Sequence, residues 1–452
     1  MQTLSSDLQS IQEARDIIAK AKKAQEIYKD FTQEQIDKII EAMSIAASRE
    51  SDHLAKLANT ETGFGKWSDK IIKNKFASEV VYNHIKHIKT VGILTDDKEK
   101  MVMDVAVPVG IITALVPSTN PTSTVIYKSL IALKTGNAIV FSPHPSAKNC
   151  TIEAATILHN AAVKAGAPEG IIGCMRVLSM EGTTQLMKHP DVSLILATGG
   201  EAMVKAAYSS GTPAIGVGPG NGPAFIEKTA DFQLAVQRII ESKTFDNGVI
   251  CASEQSVIVE SCSKDAVVAE FKKQGAYFLT PKQSEQLGLY ILKSNGMINP
   301  QIVGKNVQTI ANLVGITIPA GAKVLISEQT TVGKLNCYSR EKLAPILAFY
   351  CEENLKKACD RCIEILMNEG KGHTLILHSN DNSVIREFAL KMPVSRLLIN
   401  TSGSLGGIGA STNLVPALTL GCGAIGGSAT SDNVGPMNLI NIRRVAYGVR
   451  EN

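Results

Sequence analysis

Short apolar runs, each about as long as a buried strand, alternate with helical patterns along most of this chain. The runs at residues 111–116, 138–141 and 192–197 are almost wholly apolar, and longer segments with helical spacing separate them. Strands that alternate with helices predict a parallel sheet with helices on both faces. The pattern therefore predicts a doubly wound α/β fold, in which a ligand would lie at the carboxyl ends of the strands.

The same alternation occurs a second time after a glycine- and proline-rich segment at residues 216–223. Strand-like runs at 256–259, 324–326 and 374–377 are separated by segments with helical spacing, and the tail segment at 439–447 is predicted to pair as a strand. A chain of 452 residues is long enough for two such units. We therefore predict two αβα domains.

Charge and composition exclude several functional classes. The 46 basic and 42 acidic residues are interspersed, and a single tryptophan offers no basic surface with interleaved aromatic residues for nucleic acid. The N-terminus lacks a secretory signal pattern, and the most apolar stretch, residues 105–117, contains two prolines and is too short to span a bilayer. Nine cysteines without a regular spacing indicate free thiols in a reducing compartment. We therefore expect a cytoplasmic protein that binds neither nucleic acid nor membranes.

Three polar residues are candidates for chemistry. Cys251 lies in a loop between an amphipathic helix and an apolar strand, where nucleophiles are commonly presented, although a buried structural cysteine is the alternative. Asn120 follows a buried strand and precedes a helix, so it is either a site amide or a helix cap. Glu341 precedes an apolar segment and is either a site carboxylate or a surface residue.

Two further motifs are interpreted as structural. Residues 421–426 fit the pattern G-x-G-x-x-G, but no convincing helix follows them and no acidic residue lies about twenty positions later, so they are predicted to form a glycine turn. Cys359 and Cys362 lie within a predicted helix, and no second cysteine or histidine pair completes a four-ligand metal site. The sequence therefore predicts no metal site.

The segment at residues 242–255, Ser-Lys-Thr-Phe-Asp-Asn-Gly-Val-Ile-Cys-Ala-Ser-Glu-Gln, resembles the CoA-acylating branch of the aldehyde dehydrogenase superfamily. It is most similar to the aldehyde-oxidising half of bifunctional acetaldehyde/alcohol dehydrogenases, and the resemblance extends over about residues 17–447. Further matching stretches lie at residues 141–145, 197–200, 216–221, 372–374 and 420–423.

The resemblance implies a role for each matching residue. Cys251 corresponds to the nucleophile, Asn120 to the oxyanion-hole amide and Glu341 to the carboxylate that contacts the nicotinamide ribose. The cofactor-binding positions are Thr198, Gly199 and Gly200 beside the pyrophosphate, and Ser142 and His144 beside the adenosine. His373 lies in a motif of the acylating branch and is expected to position substrate or CoA, with a packed structural histidine as the alternative.

The resemblance also implies an aldehyde dehydrogenase-like architecture. Its expected parts are a Rossmann-like cofactor domain at residues 1–89 and 110–222, to which residues 416–433 return, and a catalytic domain at residues 223–415. A small β oligomerisation arm at residues 90–109 and 434–452 would join a homodimer or homotetramer. The chain ends where the bifunctional proteins continue, so we expect no iron-dependent alcohol dehydrogenase half.

One absence directs the functional prediction. Hydrolytic aldehyde dehydrogenases carry a water-activating glutamate in the segment that reads Ala-Ile-Gly-Val-Gly-Pro-Gly-Asn at residues 214–221 of this chain. Without that general base, thiolysis of the acyl-enzyme by CoA is expected to be faster than its hydrolysis. We predict reversible CoA-dependent oxidation of a short-chain aldehyde, with acetaldehyde and NAD as the first expectation.

Several alternatives stay open at this point. The aldehyde alternatives are propionaldehyde, sulfoacetaldehyde and succinate semialdehyde, and NADP is the alternative cofactor. A location in a bacterial microcompartment is left open. A cysteine acyltransferase without nicotinamide, a hydrolytic dehydrogenase and an inert binding subunit are the competing functional classes.

Overall fold

The computed structural model of the chain describes residues 5–450. The helices are α1 (Ser6–Tyr28), α2 (Gln33–Arg49), α3 (Ser51–Thr62), α4 (Trp67–Lys75), α5 (Val81–Ile85), α6 (Pro121–Lys134), α7 (Lys148–Lys164), α8 (Met180–Lys188), α9 (Glu201–Tyr208), α10 (Phe232–Thr244), α11 (Lys264–Lys273), α12 (Pro281–Ile291), α13 (Val307–Val314), α14 (Leu355–Asn368), α15 (Asn382–Lys391) and α16 (Gly403–Gly407). The strands are β1 (Gly92–Asp97), β2 (Val102–Pro108), β3 (Ile111–Val116), β4 (Ala138–Pro143), β5 (Ile172–Cys174), β6 (Val192–Thr198), β7 (Ala214–Val217), β8 (Gly222–Ile226), β9 (Glu254–Glu260), β10 (Ala276–Phe278), β11 (Val324–Glu328), β12 (Ile346–Glu352), β13 (Gly372–His378), β14 (Val394–Ile399) and β15 (Ile440–Ala446).

The first alternating region forms a five-stranded parallel sheet with the order β5-β4-β3-β6-β7. Every residue of β3 and β4 is buried, as continuous apolar runs predict for strands covered on both faces. The order turns back at β3, so the carboxyl ends of β3 and β6 open a crevice between their connections. Asn120 follows β3, and Thr198 is the last residue of β6.

The second region forms a seven-stranded parallel sheet with the order β10-β11-β12-β9-β8-β13-β14. The central strand β9 is buried along its whole length and begins three residues after Cys251. The predicted α/β class with doubly wound parallel sheets is confirmed. Ile408, Ala417 and Leu420 pack into the core of the first region although they follow the second in sequence.

A third, antiparallel sheet has the order β1-β2-β15, so the predicted tail strand is present and pairs with β2. Its role in oligomerisation stays a prediction. The predicted domain ranges also include residues 1–4 and 451–452, which lie outside the described residues.

Two smaller sequence interpretations are confirmed. Cys359 and Cys362 are buried neighbours on α14 and are both free thiols. Residues 421–426 form a turn rather than the start of an α-helix: a β-carbon on Gly421 would lie 2.3 Å from the carbonyl oxygen of Thr430, so only glycine fits.

Between residues 5 and 450, none of the helices combines the length and apolar character that crossing a bilayer requires.

Candidate active site

A cavity of about 350 Å³ brings together seven of the nine predicted site residues. They are Cys251, Asn120, His144, Thr198, Gly199, Gly200 and Glu341. Much of the remaining wall is apolar and comes from loops of both parallel-sheet regions, with Phe64, Val217, Ile298, Leu343 and Leu420 among its residues. A concave apolar site with a few convergent polar groups is typical of a small-molecule site.

Cys251 lies in the short loop that enters β9. Its thiol is partly exposed to the cavity but is surrounded by protein, and this burial raises the pKa of Cys251 to about 12. The Glu341 carboxylate and Cys422 raise the pKa further, while the Arg396 guanidinium acts in the opposite direction. The resting thiol is therefore protonated, and it must lose its proton as it attacks.

The backbone of Cys251 packs against Gly220, which lies in the glycine- and proline-rich segment after β7. A β-carbon placed on Gly220 would lie 1.8 Å from the carbonyl oxygen of Cys251, a distance that no real contact allows. Gly220 also donates its backbone N–H to Glu341 Oε1 at 2.9 Å. This glycine therefore holds the nucleophile loop and the carboxylate in one arrangement.

Replacing Gly220 with alanine tests this close approach. We expect Gly220→Ala to lower the free energy of unfolding by about 2 to 3 kcal/mol because the added methyl group overpacks the loop. Gly218→Ala is the matched control, since a β-carbon there meets no heavy atom within 4 Å. Denaturant unfolding of both variants measures the difference, and equal losses of stability would contradict the packing argument.

Asn120 is the residue before α6, but its side chain makes no capping hydrogen bond to that helix. Instead its Nδ2 donates to the carbonyl oxygen of Val249 at 2.9 Å, and its Oδ1 accepts from Lys73 Nζ at 2.6 Å. The capping alternative is therefore wrong for the side chain. An amide nitrogen carries two hydrogens, so one remains available to an oxygen in the cavity.

Glu341 is half-buried in the cavity wall, so the surface alternative is wrong. Burial raises the pKa of its carboxyl to about 8, and the nearby Glu369 carboxylate acts in the same direction. Near neutral pH this carboxyl is therefore largely protonated in the ligand-free protein, and it can donate as well as accept a hydrogen bond.

The turn from β6 into α9 is open to a ligand. β-Carbons built on Gly199 and Gly200 meet no heavy atom within 4 Å, and the amino end of α9 has no side-chain cap. Both glycines line the cavity, so a ligand can approach the backbone closely. A helix amino terminus of this kind offers free N–H groups to a phosphate.

Lys128 lies beneath this turn and was missed by the sequence reasoning. Its buried Nζ donates to the carbonyl oxygens of Leu115 and Leu196 and to Thr198 Oγ1, at 2.9 to 3.0 Å. Burial lowers the pKa of Lys128 to about 7. The lysine joins the ends of β3 and β6, and its sequence signal is a charge in the middle of α6, between residues 125–127 and the apolar run at 130–133.

Ser142 and His373 do not belong to the described cavity wall. Ser142 is buried and its hydroxyl pairs with Thr183 Oγ1 at 3.0 Å. His373 is fully buried, its Nδ1 pairs with Thr374 Oγ1 at 2.9 Å, and its Nε2 has no hydrogen-bond partner. Burial lowers the pKa of His373 to about 3, so the ring is neutral. Their predicted roles stay predictions.

Comparison with known proteins decides which family this arrangement belongs to. The profile described as "Aldehyde dehydrogenase family" matches residues 5–412. The chain belongs to this family. The resemblance read from residues 242–255 is therefore confirmed.

Two solved structures of the family superpose on nearly the whole chain. A probable aldehyde dehydrogenase from Listeria monocytogenes EGD-e is 62% identical, with a TM-score of 0.98 and 99% of each chain covered. An acetylating aldehyde dehydrogenase from Geobacillus thermoglucosidasius is 52% identical, with a TM-score of 0.97 and coverage of 99% of this chain and 98% of that chain. The predicted aldehyde dehydrogenase-like fold is confirmed.

The bifunctional aldehyde-alcohol dehydrogenase of Escherichia coli strain K12 is 49% identical over 442 residues, which cover 97% of this chain and 50% of that protein. The chain thus spans about half the length of the bifunctional relatives it matches.

Ligands are present in two more distant family structures. A propionaldehyde dehydrogenase from Rhodopseudomonas palustris, 27% identical with a TM-score of 0.87 and coverage of 96% of this chain and 97% of that chain, contains CoA and an acylated cysteine. An engineered glycolyl-CoA reductase, 26% identical with a TM-score of 0.87 and coverage of 96% of each chain, contains NADP+. Relatives of this chain therefore bind both CoA and a nicotinamide cofactor.

Proposed function

We propose that this chain catalyses the reversible CoA-dependent oxidation of a short-chain aldehyde to acyl-CoA, with reduction of a nicotinamide cofactor. The observation that carries the proposal is the meeting of Cys251 and the Asn120 amide in a cavity whose described wall contains one carboxylate, Glu341. That carboxylate already accepts the N–H of Gly220. The cavity thus has a nucleophile and an oxyanion donor but no further carboxylate to activate water.

The open turn at Thr198–Gly200 fits a dinucleotide. Its free backbone N–H groups suit a pyrophosphate, while Glu341 is the carboxyl group available to a ribose hydroxyl. When bound, the nicotinamide accepts a hydride from the substrate carbon. We propose NAD as the cofactor. NADP stays the alternative, because neither the turn nor the polar cavity residues select between the two.

The first chemical step takes place on Cys251. Its sulfur forms a bond to the aldehyde carbon as the thiol proton is released to water, and the carbonyl electron pair moves to the oxygen. The free hydrogen on Asn120 Nδ2 and the backbone N–H of Cys251 can then stabilise that oxygen. When the hydride departs, the oxygen re-forms its double bond to carbon and a thioester remains on Cys251.

Transfer to CoA repeats this chemistry in the second half of the reaction. The CoA thiol loses its proton as its sulfur adds to the thioester carbon, and Asn120 again stabilises the oxygen. The bond to the Cys251 sulfur then breaks, and that sulfur takes up a proton to restore the thiol. Loss of a positioned general base slows attack by water by about 10²- to 10⁴-fold. The CoA thiol is partly ionised at neutral pH and is a stronger nucleophile than water, so its attack depends less on a general base. Acyl-CoA rather than the free acid is therefore the expected product.

The cavity wall favours an uncharged aldehyde. The charged or ionisable side chains of its described wall are Glu341, Lys73, His144 and Cys251, and all three N–H groups of Lys73 are bonded within the protein. The described wall therefore offers no unpaired cation that could bind the acidic group of sulfoacetaldehyde or succinate semialdehyde. We propose acetaldehyde, with propionaldehyde as the alternative.

The five-stranded sheet region is proposed to bind the cofactor, and the seven-stranded region to present the nucleophile. The β1-β2-β15 sheet is proposed to join a homodimer or homotetramer. Its strand β15 pairs on one side only and is largely exposed, which leaves one edge available to another chain.

Product analysis tests the proposed function. The protein is incubated with acetaldehyde and NAD+ or NADP+, with and without CoA, and both reduced nicotinamide and acylated products are measured. We expect sustained turnover only with CoA, and thiolysis exceeding hydrolysis by about 10²-fold or more. Sulfoacetaldehyde and succinate semialdehyde serve as charged comparison substrates. Free acetate as the main product, or no nicotinamide reduction, would contradict the proposal.

A further inference from the structure

A buried charge cluster adjoins the cavity through Lys73 and takes no part in the steps above. Lys70 and Lys73, on the inner face of α4, both form ion pairs with Asp246 Oδ2, at 3.1 and 2.5 Å. The three side chains are 3%, 2% and 0% exposed, in that order. Buried charges of this kind are costly unless they are fully paired, so their arrangement deserves a functional explanation.

Lys73 connects this cluster to the proposed oxyanion donor. Its Nζ donates to Asn120 Oδ1 at 2.6 Å, to Asp246 Oδ2 at 2.5 Å and to the carbonyl oxygen of Val249 at 3.0 Å. An ammonium group has three hydrogens, and all three are used. Lys70 shares the ion pair and donates to the carbonyl oxygen of Thr119, but it makes no hydrogen bond to the Asn120 side chain.

The bond from Lys73 settles which way the Asn120 amide faces. The reverse orientation would place the NH₂ group of the amide against the ammonium group, where two donors would meet. A cation on the amide oxygen also draws electrons from the amide nitrogen, which makes the remaining Nδ2 hydrogen a stronger donor in a low-dielectric site. Val249, two residues before Cys251, accepts from both side chains, so the same contacts hold the nucleophile loop.

Asp246 is held rigidly enough to serve as the anchor. Its backbone has the left-handed values φ 49 and ψ 34, its N–H donates to Asp69 Oδ2 at 2.7 Å, and its Oδ1 accepts the N–H of Lys66 at 2.6 Å. Aspartate tolerates this conformation better than most non-glycine residues, and these two hydrogen bonds hold it in place here. The ammonium group of Lys73 thus lies between this held carboxylate and the Asn120 amide oxygen.

We infer that Lys73 is a positioning residue that orients and polarises Asn120 as the oxyanion donor, with Asp246 as its anchor. The inference rests on the proposed function, because it assumes that an oxyanion forms beside Asn120. It assigns Lys73 no direct contact with substrate. Its effect is therefore on the rates of the steps in which the oxyanion forms, rather than on substrate affinity.

Lys70 supplies a matched control for the test. Lys73→Met and Lys70→Met each remove one buried cation from the same aspartate, but only the first removes the contact with Asn120. We expect Lys73→Met to lower the single-turnover rate of nicotinamide reduction by about 10- to 100-fold, with KM for aldehyde within about threefold of wild type. Lys70→Met should lower that rate by less than about threefold. The rate of Cys251 alkylation by iodoacetamide, which forms no oxyanion, should be similar in both variants.

A double variant separates a positioning role from a structural one. If Lys73 acts through Asn120, adding Lys73→Met to Asn120→Ala should lower the rate by less than about threefold further. Equal losses in the two lysine variants, or a full additional loss in the double variant, would overturn the inference. Lys73→Gln and Lys70→Gln replace the methionine pair if circular dichroism shows that Lys73→Met is not folded. A wild-type protein that shows no CoA-dependent nicotinamide reduction would overturn the proposed function instead.

Discussion

Cys251→Ala should lose CoA-dependent nicotinamide reduction by about 10⁴-fold or more, because removal of a covalent nucleophile removes both half-reactions at once. The cavity offers no replacement, since Cys251 is the sole cysteine of its described wall. The aldehyde would then have to lose hydride from its hydrate, and Glu341, the one carboxylate of that described wall, already accepts the N–H of Gly220. Stopped-flow absorbance of the reduced nicotinamide measures the loss directly.

A matched cysteine variant distinguishes this effect from a general effect of cysteine removal. Cys262 is an exposed free thiol that lies outside the described cavity wall, so Cys262→Ala should reduce the cofactor at the wild-type rate. Intact-mass analysis after aldehyde and oxidised cofactor, without CoA, should find one acyl group on wild type and on Cys262→Ala but none on Cys251→Ala. A Cys251→Ala protein that still turns over within tenfold of wild type would refute the nucleophile assignment.

Strands buried on both faces were predictable because such burial requires an apolar side chain at nearly every position, which gives a continuous apolar run in the sequence. The run predicted at 111–116 is β3 with the same limits, and the run at 192–197 is β6 to within one residue. Lateral sheet order was beyond residue periodicity, because pairing of β9 with β12 brings together segments about ninety residues apart. The position of Cys251 just before a strand could be predicted because β9 is wholly buried and is therefore marked by an apolar run.

The burial and pairing of the charge cluster could not be predicted from the sequence. Lys70 and Lys73 lie on a helix of nine residues that also carries Asp69 and Lys75, and their spacing of three residues is equally typical of a solvated helix face. Their partner Asp246 lies more than 170 residues away, so no local pattern marks the lysines as buried. For Asn120, the local pattern suggested a helix cap, and only the tertiary contacts with Lys73 and Val249 show where its side chain points.

Asn120→Ala should lower both half-reactions by about 10²- to 10³-fold, which is the usual effect of removing one oxyanion donor. An oxyanion forms when Cys251 adds to the aldehyde and again when CoA adds to the thioester, so each half-reaction should slow. Stopped-flow reduction of the cofactor reports the first half, and release of acyl-CoA from an isolated acyl-enzyme reports the second. Alkylation of Cys251 by iodoacetamide should remain close to the wild-type rate.

Asn137→Ala is the control for loss of a buried amide, since Asn137 makes three hydrogen bonds and does not belong to the described cavity wall. It should lower stability while leaving both half-reactions within about threefold of wild type.

Asn120→Asp keeps the size of the side chain but replaces its donor with a carboxylate facing the developing oxyanion, so it should be slower than Asn120→Ala. If Asn120→Asp is the faster of the two, the side chain contributes through its shape and not through its N–H. If Asn120→Ala slows only one half-reaction, a single amide cannot serve both oxyanions.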